Sequence, residues 1–176
     1  QGPSGETLAA ISALPLILPQ AAFLFGLQIV MLRAGFRAGF GAVLFTHLAL
    51  VVPYTMLCFA GPYSGLDPRL LKQAASLNAS PWRVFFAVKL PLLATPILTV
   101  FAIAFAVSVA QYLTTVMVGA GRVSTLTTEA VALSSGSDRR IAAAFGLMQA
   151  ALPLVGFALA LALPRVIWRK RQGMLA

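Results

Sequence analysis

The side chains that could carry out covalent chemistry are few and isolated in this sequence. His47 is the only histidine and Cys58 the only cysteine, so a disulfide within the chain is excluded and a metal or redox site is not indicated. The spacings of a Ser-His-Asp triad, an HExxH motif, a Walker A loop and a GxGxxG turn do not occur. The sequence therefore predicts a protein that is not an enzyme and that has no recognisable motif for ATP.

Polar side chains inside long uncharged runs suggest a different role. Polar groups within a membrane usually face the bundle interior or a cavity. There they either hydrogen-bond a neighbouring helix or line a pathway for a solute, and both interpretations stay open. His47 could also act as a pH-sensitive group. The candidates are Gln28, Thr46, His47, Gln111, Tyr112, Thr114, Thr115 and Gln149.

The elements that must hold these side chains are membrane helices. The chain is 60% hydrophobic and only 10% charged, whereas soluble domains have about 25% charged residues. Four runs without Asp, Glu, Lys or Arg are each long enough for a helix that crosses a bilayer, which needs roughly 20 residues. We expect an all-α integral membrane protein with spans near residues 8–32, 40–60, 91–113 and 141–164.

The first residue of the chain and the distribution of its charges lead to two further expectations. The first residue is Gln1 rather than Met, which suggests a fragment or the distal part of a longer chain, with further spans before it. The net charge of +9 is interpreted as membrane-flanking loops, not as nucleic-acid binding. Four cations in the 61–90 loop and four in the C-terminal tail lie on one side, against five on the other. The positive-inside rule then places the 61–90 loop and the C-terminus in the cytoplasm.

The loop between the last two spans, residues 113–140, is rich in Gly, Ser and Thr. Its stretch near 125–134 could form a short surface helix. Asp138 could cap the last span, because its carboxylate can accept the free amides of a helix start.

The 61–90 loop contains two helix starts and one helix stop. Asp67-Pro68 and Ser80-Pro81 each combine a capping side chain with a proline at the first helical position. Asn78 lies between them and tolerates the left-handed backbone that ends helices. The sequence therefore predicts a helix, a sharp turn and a second short helix, after which Leu90-Pro91 would open the next span.

Two explanations fit this pair of helices. The second helix carries Trp82, Phe85 and Phe86 together with Arg83 and Lys89. Such a segment could lie on the lipid headgroups, with its cations extended towards the phosphates. It could equally be a docking element for a soluble partner.

The loop resembles the cytoplasmic signature of binding-protein-dependent ABC importer permeases. That signature reads DPxLxEAAxxLGAS and continues to I-x-LP, and this chain has DPRLLKQAASLNAS followed by VKLP. With Asn78 at the signature Gly, Val88 falls on the Ile and Leu90-Pro91 on the Leu-Pro.

Three signature positions differ in this chain. Asn78 replaces the Gly and can keep the turn, and Gln73 replaces the first Ala. Lys72 replaces the Glu and reverses its charge, so any ion pair that this Glu makes is in doubt.

The resemblance extends over nearly the whole chain. HLALVVPY (47–54) and AQYLTTVMVGAGRVSTLTTEA (110–130) are similar to permeases of the iron, thiamine, polyamine and sulfate group, including thiamine-type permeases. This implies a type I ABC importer permease core, of which the chain corresponds to the C-terminal four of about six spans.

The resemblance also implies partners and a mechanism. A second permease domain would complete the pore, and a periplasmic binding protein would deliver a small solute, such as a thiamine-like compound, a polyamine or iron. ATP and Mg would be bound by separate ATPase subunits, so the chain itself holds no cofactor. The docking surface for the ATPase would comprise Ala74, Leu77, Asn78, Ala79, Ser80, Trp82, Arg83 and Phe85.

Two alternatives come from other classes. A secondary carrier would use proton or ion coupling, but the predicted spans lack the acidic residues that such carriers often use. A structural membrane subunit that is not coupled to ATP would also fit the composition.

Deletion of residues 78–85 is expected to abolish association with the ATPase while leaving membrane insertion intact, because the segment lies outside the predicted spans. Co-purification of the ATPase with the deletion variant would contradict the docking role.

Overall fold

A computed structural model describes residues 19–136 and 139–167, and within these ranges the regular structure is helical throughout. The helices before and around the polar loop are α1 (Gln20–Arg33), α2 (Phe40–Ser64) and α3 (Pro68–Ser76). After the loop come α4 (Pro81–Val84), a π-helical turn (Phe85–Lys89) and α5 (Leu90–Val109). The remaining helices are α6 (Tyr112–Gly119), α7 (Leu126–Ser134) and α8 (Arg139–Ile167).

Three helices in the described part of the chain are long and apolar enough to cross a membrane. They are Phe40–Ser64, Pro81–Val109 and Arg139–Ile167, with mean hydropathies of 1.9, 2.3 and 2.0. The predicted all-α membrane fold is confirmed. The predicted span 8–32 lies partly outside the described residues, and its described part is the shorter apolar helix α1.

The start of the third span differs from the expectation. Leu90-Pro91 does not open a new helix, because α4, the π-helical turn and α5 run on as one helix from Pro81 to Val109. The amide of Leu90 donates to the carbonyl of Phe85, five residues earlier. Proline interrupts a helix because it lacks an N–H donor, and the wider turn just before Pro91 lets the helix continue through this site.

The end of the same span also differs from the predicted 113. Helix α5 stops at Val109, and Gln111 has a non-helical backbone with φ −76° and ψ 75° before α6 begins. Helix α2, in turn, runs to Ser64 instead of 60 and has Pro62 inside it. The connection between α2 and the next spanning helix is therefore shorter than the predicted 61–90 loop.

The predicted helix near 125–134 is present as α7, but one side of it is buried, so it is not simply a surface helix. It starts with a capping box in which the Thr125 hydroxyl accepts from the Thr128 amide and the Thr128 hydroxyl accepts from the Thr125 amide. Thr127 and Ala130 are buried, and the helix packs against α8. Asp138, the predicted cap of the last span, lies outside the described residues.

Helices α5 and α8 pack closely through small residues. A Cβ atom added at Gly156 would lie 3.3 Å from Cδ1 of Phe105, and Ala102 and Ala160 are buried in the same two helices. Small side chains let membrane helices approach closely, so that van der Waals contact holds them together. A second close contact joins α6 to α2, where a Cβ at Gly119 would lie 3.2 Å from Cγ2 of Val43.

We predict that Gly156→Leu lowers the stability of the bundle by about 1–3 kcal/mol, the usual cost of overpacking, because the new side chain would overlap Phe105. Thermal unfolding of the detergent-solubilised protein would measure this. Gly146→Leu is the matched control, since nothing lies within 4 Å of a Cβ at Gly146 on the same helix. Equal unfolding midpoints for the two variants would contradict the close packing.

Candidate functional site

The first candidate site is the segment from α3 to α4, and local hydrogen bonds shape it. Oδ1 of Asp67 accepts the amide of Arg69 at 2.8 Å and caps the start of α3. The chain reverses at Asn78, whose φ is +56°. Asparagine tolerates this left-handed backbone better than most residues, because its short side chain can bond locally. Oγ of Ser80 then accepts the amide of Arg83 at 3.4 Å and starts the next helix. The predicted helix, turn and helix are confirmed.

Large apolar side chains on this segment face outwards. Leu77 is 82% exposed and Trp82 is 73% exposed. The Trp82 ring stacks on Phe86 with centroids 6.2 Å apart, and Phe86 in turn meets the edge of Phe85 at 5.0 Å. The aromatic rings thus support one another and leave most of the Trp82 surface free to contact another molecule.

The predicted docking residues lie together on this segment. Asn78, Ser80, Arg83 and Phe85 are exposed with Leu77 and Trp82, whereas Ala74 and Ala79 are half-buried. The structure thus gathers all eight around one turn.

The segment of residues 67–91, called the docking segment after its predicted role, leads without interruption from Pro81 into a membrane helix. The helix that starts at Pro81 has 29 residues, which corresponds to roughly 43 Å at the standard rise. The hydrocarbon core of a bilayer is only about 30 Å thick. The charged residues of this helix are Arg83 and Lys89, and residues 90–109 are uncharged, so we expect residues 81–89 to be the part that extends beyond the hydrocarbon. A displacement of the turn at Asn78 would then also move α5.

The second candidate site surrounds residues 110–111, where the chain breaks between α5 and α6, and is called the polar break below. The Gln111 side chain is 7% exposed. Its Oε1 accepts the hydroxyl of Thr114 at 2.6 Å and Nε2 of Gln20 at 3.1 Å. One buried amide therefore connects the break to α1 and to the first turn of α6.

His47 connects this break to α2. Nε2 of His47 lies 3.1 Å from the Thr115 hydroxyl, and Nδ1 lies 3.1 Å from the Ser108 hydroxyl. The Thr115 hydroxyl already donates to the Gln111 carbonyl at 2.7 Å, so it accepts from His47. A neutral imidazole carries one N–H. The geometry therefore assigns the proton to Nε2 and makes Nδ1 the acceptor for Ser108.

The carbonyl at the end of α5 is also bonded by a side chain. The Thr127 hydroxyl from α7 donates to the carbonyl of Val109. A cavity of about 310 Å³ lies beside this contact, with His47, Ser108, Thr125 and Thr127 on its wall. Its other lining residues, from α2, α5, the α6–α7 connection, α7 and α8, are apolar.

The predicted pathway residues fall into separate groups. The break gathers His47, Gln111, Thr114 and Thr115. Thr46 is buried elsewhere and donates to its own helix at Ala42 O, 2.8 Å away.

Of the other three predicted pathway residues, Gln28 and Gln149 lie apart from the break, whereas Tyr112 directly follows it at the start of α6. Nε2 of Gln28 donates to Met117 O at 3.5 Å, Tyr112 is partly exposed, and Gln149 is half-buried on α8.

Three residues of the polar break were not among the sequence candidates: Gln20, Ser108 and Thr127. Ser108 had a usable signal, since it is a polar residue inside the predicted span 91–113, three residues before Gln111. The contacts of Gln20 and Thr127 span 91 and 18 residues of sequence, so no local pattern reveals them. No group of three His, Cys, Asp or Glu side chains suited to a metal converges in the described ranges.

Comparison with known proteins identifies the class. The family described as "Binding-protein-dependent transport system inner membrane component" matches residues 6–169. The chain therefore belongs to this family, the membrane permeases of binding-protein-dependent ABC importers, as the signature in the docking segment predicted. No solved structure matches the chain.

The individual relatives of the chain are also transport permeases. The chain is 40% identical over 161 residues to the inner membrane ABC transporter permease protein YnjC of Escherichia coli, covering 92% of this chain and 32% of that protein.

Two further relatives carry names that mention a solute. A spermidine/putrescine transport system permease protein PotC homolog of Mycoplasma genitalium is 29% identical, covering 77% of this chain and 47% of that protein. The molybdenum transport system permease protein ModB of Azotobacter vinelandii is 30% identical, covering 64% and 55%. The chain thus spans about a third to about half of these relatives.

We predict that Thr115→Val lowers stability by about 1–3 kcal/mol, because it leaves the Nε2–H of His47 without its acceptor. Thr115→Ser keeps the hydroxyl and should retain most of the stability. Thr55→Val is the control, since the Thr55 hydroxyl bonds only its own helix at Val52 O, 2.7 Å away. Thermal unfolding would compare the three, and an unchanged midpoint for Thr115→Val would contradict the role of the network.

Proposed function

We propose that this chain forms part of the translocation pore of an ATP-driven importer and is coupled to a separate ATPase through residues 67–91. The observation that carries this proposal is the exposed turn at Asn78, which is continuous with a spanning helix through Pro81–Val109. A soluble partner that holds Leu77 and Trp82 could move α5 directly. Family membership supports an ATPase as that partner.

The proposed assembly has four further parts. Two ATPase subunits bind ATP and Mg, a second permease domain completes the pore, and a periplasmic binding protein delivers the solute. The lipid bilayer surrounds the helices. In this arrangement the chain performs no covalent chemistry, and each ligand acts through its different affinities for the inward- and outward-facing states.

The proposed orientation has the docking segment and the C-terminus in the cytoplasm of a bacterial inner membrane. The support comes from the eight cations assigned to that side against five on the other. Because α2 and the Pro81–Val109 helix each cross the bilayer, the polar break after Val109 then lies near the opposite, periplasmic side. That is where a binding protein would release the solute.

The polar break is the proposed part of the solute pathway in this chain. Its groups are an imidazole, hydroxyls and amides, and the helices Phe40–Ser64, Pro81–Val109 and Arg139–Ile167 contain no Asp or Glu. The pathway therefore has no carboxylate on these helices with which to select a cation. We infer that selection among a thiamine-like compound, a polyamine, iron or an oxyanion rests mainly with the binding protein.

A secondary carrier and a structural subunit are the competing functions. Membership of the importer family disfavours both. Transport in vesicles separates them: uptake that requires ATP inside the vesicle supports the importer. Uptake that survives ATP depletion but collapses with the proton gradient would support a carrier.

We predict that Leu77→Ala weakens association with the ATPase about tenfold, the loss expected when a central apolar anchor is truncated. Leu77 is 82% exposed, so the substitution removes few contacts within the chain and should leave its own stability unchanged. Titration of the purified permease with the ATPase would measure the dissociation constant.

Leu147→Ala is the matched control for this prediction. Leu147 is 72% exposed on the membrane helix α8, so it should face lipid or protein within the bilayer and not the ATPase. Equal affinities of the two variants for the ATPase would overturn the assignment of the docking segment.

A further inference from the structure

The docking segment has an unusual charge balance. Arg69, Lys72 and Arg83 are all exposed, and residues 68–89 contain no Asp or Glu. The acid that precedes them, Asp67, has its Oδ1 bonded to the amide of Arg69. The outer surface of the segment therefore presents positive charge without an acidic neighbour from the same stretch of chain.

The cations have a defined place relative to the apolar contacts. On α3, Arg69 and Lys72 are one turn apart, on the same side of the helix as Gln73 and Ser76. Leu70 lies about 100° around the helix from Arg69, and Leu77 follows the helix in the turn. The segment thus combines an apolar anchor at the turn with a cationic side next to it.

The length of the spanning helix places this surface beyond the lipid headgroups. The helix Pro81–Val109 exceeds the hydrocarbon thickness by roughly 13 Å. The headgroup layer on each side is only about 5–8 Å thick. Helix α3 is joined to the projecting end of this helix by the turn of residues 77–80, so Lys72 is better placed to meet a soluble protein than a lipid phosphate.

We propose that the ATPase partner of this chain carries carboxylates around the groove that receives the docking segment, and that Lys72 selects this partner. The proposal rests on the proposed function. Lys72 occupies the position where the permease signature has Glu, so a groove suited to that Glu would repel this chain. Complementary charge across an interface favours the right partner and suppresses wrong ones. At this one contact the ATPase should therefore differ in charge from an ATPase whose groove is suited to the signature Glu.

The test titrates the full permease, in lipid nanodiscs, with the ATPase of its own system. Lys72→Glu should weaken binding about fivefold to tenfold and Lys72→Gln about twofold to fivefold, as expected for exposed charge pairs. Binding of the unaltered chain should fall as salt rises from about 0.05 M to about 0.5 M. A Glu→Lys or Asp→Lys substitution in the ATPase groove should restore binding to Lys72→Glu.

Arg37→Glu is the control, because it makes the same change of charge at a distant place. Arg37 lies in the connection between α1 and α2, at the opposite end of the spanning helix α2 from α3. It should leave the affinity for the ATPase unchanged. Equal affinities for Lys72→Glu and the unaltered chain would overturn the inference while leaving the importer function in place. A complete lack of ATPase binding by the unaltered chain would instead overturn the proposed function.

The lipid composition of the nanodiscs tests whether the negative charge that Lys72 meets comes from lipid headgroups and not from the ATPase. If Lys72→Glu lowers the affinity only when anionic lipid is present, the cationic side contacts headgroups and the proposal is wrong. If the loss is the same in purely zwitterionic lipid, the carboxylates belong to the ATPase.

Discussion

The constraint on which this structure depends is that backbone polar groups inside a bilayer must find partners within the protein. The chain interrupts its helices at two contrasting places. At residues 110–111 the break is enclosed around Gln111, whose side chain is buried, and the Thr127 hydroxyl bonds the Val109 carbonyl that the end of α5 leaves free. At residues 77–80 the break lies beyond the hydrocarbon, so the turn can be exposed.

This difference explains why the two breaks suit different roles. The enclosed break recruits hydroxyls, amides and one imidazole from α1, α2, α6 and α7, and so concentrates polar groups beside a cavity. The exposed turn at Asn78 leaves Leu77 and Trp82 without neighbours that cover them. A surface of this kind gains free energy only when another molecule covers it, which is the property that a docking element needs.

One continuous helix links the two breaks. Because α4, the π-helical turn and α5 form a single rod from Pro81 to Val109, the exposed turn lies at one end and the polar break at the other. Contact of α5 with α8 at Gly156 and Phe105 holds the Val109 end of this helix against its neighbour. A displacement at the Asn78 end therefore has a direct mechanical path to the polar groups.

The sequence by itself determined the local and periodic features of this protein. Uncharged runs predict membrane helices, capping residues at Asp67 and Ser80 predict the helix starts, and the spacing from Asn78 to Leu90-Pro91 indicates the permease family. These features depend on neighbouring residues, so no tertiary contact is needed to recognise them. Only the tertiary structure decided that the π-helical turn carries the helix through Pro91, that α5 ends at Val109, and that Gln20, Ser108 and Thr127 join the polar break. The contacts of Gln20, Ser108 and Thr127 are hydrogen bonds between residues far apart in sequence, whose geometry exists only once the helices have packed. The π-helical turn depends on a local bond from Leu90 to Phe85, but a Leu-Pro pair by itself indicates a new helix start equally well.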